Sequence, residues 1–151
     1  MRDIIFRGKR IDNGEWAEGY YVHAPAKNFI NSSPLDDSII KHWIVTSKGR
    51  MYEVIPETIG QFTGLTDKNG TKIFEGDVIS IPFEEDRSLW EENCVYYENG
   101  KVYFDNERYG WYVEFSDGGE LSIWEYDEVE IVVIGNIHDN SELLKEGVDS
   151  V

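Results

Sequence analysis

Thr58-Ile-Gly-Gln-Phe-Thr-Gly-Leu-Thr-Asp-Lys-Asn-Gly-Thr-Lys-Ile-Phe-Glu-Gly-Asp-Val-Ile79 is the stretch on which the reading of this chain turns. Asn69-Gly70 stands between two short strand-like runs, Gln61–Leu65 and Thr71–Phe74, and Asn-Gly favours the positive backbone angles of a tight turn. Glu75-Gly76-Asp77 then makes a second turn that launches the apolar run from Val78. Gly60, Gly64, Gly70 and Gly76 are read as turn geometry. They do not form a phosphate-binding glycine loop, because no helix follows them.

The same punctuation recurs on either side. Asn13-Gly14 separates Asp3–Ile11 from Glu15–His23, and Lys48-Gly49 separates His42–Ser47 from Met51–Ile55, where Pro56 ends the strand. Asn99-Gly100 is expected to divide Cys94–Tyr97 from Lys101–Asp105, and Asp117-Gly118 to divide Trp111–Phe115 from Glu120–Tyr126. Val102 and Phe104 alternate with Lys101, Tyr103 and Asp105, as Trp111, Val113 and Phe115 do with Tyr112 and Glu114. Val129, Ile131 and Val133 alternate with Glu128 and Glu130, while Val132 and Ile134 suggest burial on both faces. Turns at short intervals with period-two patterning predict a mainly β chain of antiparallel hairpins. The strands Val78–Phe83, Val95–Tyr97, Lys101–Asp105 and Trp111–Phe115 are expected to curl into an SH3-like barrel. Two segments break the rhythm: Ala24–Ile40 reads as a long loop, and the acidic Glu84–Asn93, around Trp90, as a helical turn or a solvated loop. At the end, Asp139 or Asn140 is expected to cap a short C-terminal helix through Glu142–Glu146, stopped by Gly147.

Length and composition suit a single domain over residues 1–151: 40% of the 151 residues are hydrophobic and 14% aromatic. The longest aliphatic run, Ile131–Ile134, is far too short to span a membrane. Arg2, Asp3 and Arg7 interrupt any signal-peptide apolar region. Cys94 is the only cysteine, so no intrachain disulfide forms, and a cytoplasmic location is expected. The net charge of −16 is uneven: residues 1–75 hold 10 Lys+Arg and 10 Asp+Glu, and residues 76–151 hold 4 and 20. That step suggests a subdivision near residue 75, into a β-hairpin half and an acidic SH3-like half. Phosphates would be repelled by the second half, so no direct nucleic-acid binding is expected. Arg2, Arg7, Lys9 and Arg10 form the one basic cluster, suited to an acidic partner or to the acidic half of a second copy.

No catalytic, cofactor-binding or metal-ligating set is assigned. His23, His42 and His138 lie far apart without zinc-ligand spacing. Asp67, Glu75, Asp77 and Asp139 would serve a divalent ion only by converging in space, and Asp67 and Asp77 are expected to shape turns instead. Cys94 precedes an apolar strand and reads as a buried structural thiol. Ser47, Ser80, Ser116 and Ser122 lack a nucleophile-elbow context. His138-Asp139 is read as an interfacial or capping pair rather than an acid–base unit. Trp90, Tyr96, Tyr97, Tyr103, Tyr109, Trp111, Tyr112, Trp124 and Tyr126 outnumber what a small barrel holds inside, so some are expected at the surface, where such side chains anchor interfaces.

The motifs Gly60-Gln-Phe-Thr-Gly64, Asp67-Lys-Asn-Gly70 and Phe74-Glu-Gly-Asp77 resemble the signature of the YopX family of phage and prophage proteins. Ile5-Phe-Arg-Gly-Lys9, followed by Gly14-Glu-Trp16 and Gly19-Tyr20, is similar to the family's beginning. Ile134-Gly-Asn-Ile-His-Asp-Asn-Ser-Glu-Leu-Leu144 is similar to its end, with Ser141 where proline is more usual. The resemblance spans nearly the whole chain. It implies a prophage origin and a β-rich fold, and no activity. The functional expectation is a non-catalytic interaction protein that self-associates or binds a host or phage protein. An acidic nucleic-acid mimic and, behind it, a metal-dependent hydrolase are the alternatives. Neither a cofactor nor a membrane enters this reading.

Overall fold

A computed structural model of the chain describes residues 1–25, 40–85, 94–125 and 130–145. It divides into two units, residues 1–62 and 63–151. By sequence the first holds 8 Lys+Arg and 8 Asp+Glu and the second 6 and 22, so the second carries the whole excess of −16. The step in charge after residue 75 lies inside the second unit.

The first unit is an antiparallel sheet of β1 (Phe6–Lys9), β2 (Trp16–Pro25), β3 (Ile40–Val45), β4 (Met51–Glu53) and the start of β5 (Gly60–Thr66), in the order β4-β3-β2-β1-β5. Asn13-Gly14 and Lys48-Gly49 make the turns read from sequence, with φ of +71° at Gly14 and +77° at Gly49. The sheet curls back on itself. Ile11 N donates to the Glu53 carbonyl at 3.0 Å and Ile55 N to the Lys9 carbonyl at 2.8 Å, and Arg10 bridges to Val54. Ala17, Ile44 and Val54 are buried inside the curl, with Phe6, Tyr21, Tyr52 and Ile59 packed around them. Pro56 opens a short 3-10 turn, Pro56–Thr58, after β4; fixed φ and a missing N–H suit that first position.

In the second unit the rest of β5 pairs with β6 (Lys72–Phe74). A five-stranded antiparallel sheet follows: β7 (Asp77–Glu85), β8 (Cys94–Asp105), β9 (Gly110–Phe115), β10 (Glu120–Ser122) and β11 (Val132–Asn136), in the order β10-β9-β8-β7-β11. A 3-10 turn at Ile123–Glu125 lies between β10 and β11. The alternation seen in sequence builds the core. Val102 pairs with Val113 and Phe104 with Trp111, and Leu65, Ile73, Ile79, Ile81, Ile123 and Ile131 close over the buried members. Each such aliphatic side chain contributes about 1.5–3 kcal/mol on burial.

Three expectations are corrected. Asn99-Gly100 is not a turn: β8 runs straight through it, with Asn99 opposite Ser80 and Gly100 opposite both Ile79 and Phe115. A Cβ on Gly100 would sit 2.3 Å from Val113 Cγ1 and 3.1 Å from the Phe115 ring, so the glycine makes room for core side chains on the next strand. The C-terminal helix is a 3-10 turn of Ser141–Leu144. Asn140 does not cap it; its Oδ1 accepts from Asn136 N at 3.4 Å, and Lys145 is already extended. Glu146 and Gly147 lie outside the described residues. Likewise the strand expected over Glu120–Tyr126 ends at Ser122, where the 3-10 turn begins. Most of the Ala24–Ile40 loop and of Glu84–Asn93, with Trp90, falls outside the described residues, as do Tyr126 and Val129.

Candidate functional site

The central segment spends its polar groups on its own backbone. Asp67 Oδ1 accepts from Asn69 N and Thr71 N, each at 2.9 Å, and its Oδ2 accepts from Val133 N at 3.0 Å, tying the turn to β11. Burial opposes ionisation of Asp67, but these three N–H donors outweigh it and hold the carboxyl below the usual range. Asp77, 1% exposed, accepts from Phe74 N at 2.7 Å, across Gly76 with its φ of +85°. Near the C-terminus, Asn136 Oδ1 accepts from His138 N and Asp139 N, and its Nδ2 donates to Asp139 Oδ2 at 3.0 Å. Asp67 and Asp77 therefore shape turns, and Asp139 braces the chain after β11. Among the described residues no group of three His, Cys, Asp or Glu is placed to hold a metal ion. None of Ser47, Ser80, Ser116 and Ser122 is hydrogen-bonded to a histidine within that set.

A second polar cluster lies on β8, β9 and β10. Arg108 stacks on Tyr112, its guanidinium carbon 3.9 Å from the ring centroid, and binds Asp105 and, at 2.8 Å, Glu120. Tyr103 donates to Glu120 Oε1 at 2.6 Å. Burial and that bond push the Tyr103 phenol up to about 12. The Tyr103 hydroxyl and then Arg108 hold Glu120 below its ordinary range; the Arg108 backbone N–H and guanidinium do the same for Asp105. Beside the cluster, Tyr109 is the one non-glycine residue with positive φ among those described, at +53°, and the residue is 84% exposed. These groups satisfy one another, which makes the cluster a brace for the 106–109 turn.

Exposed apolar side chains gather on β8 at the far end of the β7–β8 pair. Among the described residues β9 pairs with β8 at residues 100–105 and β11 with β7 at 77–80, whereas β7 and β8 remain paired out to Glu85 and Cys94. Residues 81–85 and 94–99 thus extend the β7–β8 pair as an arm. One side is anchored: Phe83 stacks on Tyr96, with centroids 5.6 Å apart, and meets Phe115 edge-on at 5.7 Å. Val95, Tyr96 and Tyr97 are exposed, Tyr97 by 67%. Cys94 is exposed too, contrary to the buried thiol expected, because the arm has outrun the core. A cavity of about 300 Å³ lies where the arm leaves the sheet, between Tyr97–Asn99, the Phe115–Asp117 turn and Leu143–Lys145. Asn99 Nδ2 donates across it to the Leu143 carbonyl at 3.3 Å. Of the aromatics singled out from sequence, Tyr96, Tyr97, Tyr109 and Trp124 are exposed, Tyr103 and Tyr112 half-buried and Trp111 buried.

The first unit places two of the three histidines together. His23 on β2 and His42 on β3 are direct cross-strand partners, with ring centroids 6.2 Å apart. The Tyr21 hydroxyl lies 2.6 Å from His42 Nδ1, and the two rings are nearly parallel. No short motif signals this meeting; it follows from the register of the β2–β3 pair. Three of the four residues of the basic cluster are engaged locally: Arg10 binds Asp12 at 2.6 Å and covers Tyr52, and Arg7 and Lys9 lie over Trp16.

The profile of the family described as YopX protein matches residues 5–145. The crystal structure of protein EF1440 from Enterococcus faecalis is similar to the chain at 25% identity with a TM-score of 0.47, over 96% of this chain and 100% of that one. No curated protein matches it.

Proposed function

The chain belongs to the YopX family, and from that premise we propose that it is a prophage-derived, cytoplasmic interaction protein without catalytic activity, which self-associates or binds a host or phage protein. The observation that carries this reading is the β7–β8 arm. Along Cys94–Asn99 it presents the edge of β8 beyond the stretch that pairs with β9, with Val95, Tyr96 and Tyr97 exposed. Strand edges recruit further strands through main-chain hydrogen bonds, and tyrosines supply contact area at small entropic cost. We read the second unit as an SH3-like barrel; the order β11-β7-β8-β9-β10 and the 3-10 turn ahead of β11 support it. Molecular mass by light scattering across a concentration series, with affinity capture from prophage-carrying cells, tests the proposal. Self-association or a captured partner that is lost with Tyr97→Ser supports it; a strict monomer that captures nothing overturns it.

The charge of the second unit favours one further reading. Twenty-two acids against six bases suit a mimic of nucleic acid that occupies the basic groove of a DNA-binding protein. Salt-sensitive competition with DNA is the expected sign, and its absence at low ionic strength removes this reading.

A further inference from the structure

We propose that His23 and His42 form a binding site for one borderline-soft divalent transition-metal ion, of the class of Cu²⁺, Ni²⁺ or Zn²⁺, clipped across β2 and β3. The register makes the two residues direct partners, so both imidazoles leave the same face of the sheet side by side. Their centroids are 6.2 Å apart and the rings are inclined by 30°. Imidazole nitrogen lies about 2.0–2.1 Å from such an ion, so two rings sharing it have centroids at most roughly 6.4 Å apart, and about 5 Å apart at a tetrahedral angle. The pair therefore already lies within the limit for a shared ion.

The surroundings fit the chemistry. Tyr21 stacks beside both rings and its hydroxyl lies 2.6 Å from His42 Nδ1, which fixes that ring; with Nδ1–H donating to the hydroxyl oxygen, Nε2 is the ligating atom. A hydrogen bond on the other ring nitrogen is what orients a metal-bound histidine. His23 is exposed and His42 half-buried, so an ion can enter and keep water in its remaining positions. Nitrogen donors select late first-row ions over Mg²⁺ and Ca²⁺. The abundant carboxylates of this chain would show the opposite preference, and this separates the proposed site from loose binding to acidic surface.

Titration calorimetry of the full chain with Cu²⁺, Zn²⁺ and, as hard-ion controls, Mg²⁺ and Ca²⁺ tests the site. One transition-metal equivalent is expected, weakened more than about tenfold by His23→Ala and by His42→Gln, and about tenfold by Tyr21→Phe, which keeps the ring but not the hydroxyl. His138→Ala, in the other unit, should leave binding unchanged. Because a bound ion stabilises only the folded state, the melting temperature should rise with Zn²⁺ in the parent chain and in His138→Ala but not in His23→Ala. His23 is exposed, so its variant folds and that comparison stays decisive. No saturable binding, binding matched by Mg²⁺, or binding that survives His23→Ala would each overturn the proposal.

Discussion

The two units of this protein spend their residues differently. Among the described residues the first buries a cluster of three apolar side chains, Ala17, Ile44 and Val54, and the second a cluster of nine. The first is balanced in charge; the second carries the whole −16. A thin core must be supplemented, and the first unit does so by curling until Lys9–Ile11 bond to Glu53–Ile55 and by laying cations over Trp16 and Tyr52. A thick core leaves the surface free to diverge, and the second unit uses that freedom for acids, exposed tyrosines and an arm longer than its sheet. Surface that a core does not need is where interaction is most economically placed.

The contrast is tested most severely in the cores. Ile79→Ala and Ile44→Ala each remove a fully buried side chain, and each should cost about 2–5 kcal/mol in urea unfolding. Their reach should differ. Losing Ile44 should let the amides of β1–β4 exchange freely while β7–β9 stay protected, and equal loss in both units breaks the comparison. Next comes Asp67→Ala, which strands three N–H groups and should cost about 1–3 kcal/mol, seen as a lower urea midpoint. Because the folded carboxyl titrates below its unfolded value of about 3.9, its contribution is present above that pH and is lost as pH falls through the folded value. Acid unfolding of Asp67→Ala should therefore be flatter than that of the parent over this range.

Smaller effects sharpen the contrast at the surface. Tyr109→Gly relieves a left-handed residue and should raise stability by about 1 kcal/mol, read as a higher melting temperature. Tyr97→Ser should change stability by less than about 0.5 kcal/mol while abolishing self-association or partner capture. A large stability loss there would make the arm part of the core rather than of the interface.

What could be read in advance was local. Asn13-Gly14, Lys48-Gly49, Asn69-Gly70 and Asp117-Gly118 turn because the chemistry of the pair itself sets the backbone, and all four glycines have positive φ. Asn99-Gly100 has the same letters, but its glycine answers to Val113 and Phe115 on another strand. The C-terminal helix failed for a similar reason: the asparagine expected to cap it faces Asn136, and Leu143 packs where a Cβ on Gly135 would come within 2.7 Å. The exposure of Cys94 and the meeting of His23 with His42 depend on strand lengths and register, which no short motif encodes. The aromatic surplus was legible: Tyr96, Tyr97, Tyr109 and Trp124 are exposed, the first two of them on the arm.

The course of β8 through Asn99-Gly100 also bears on how the molecule ages. In an Asn-Gly pair the glycine nitrogen can attack the asparagine amide carbon, expel ammonia and leave aspartate or isoaspartate after hydrolysis. Turns bring those atoms together, and Asn13 and Asn69 sit in turns. Asn99 is held extended in a ladder paired on β7, so it should be the last of the three to deamidate. Peptide mapping after prolonged storage would show aspartate at 13 and 69 first, each event adding one negative charge to a chain already at −16.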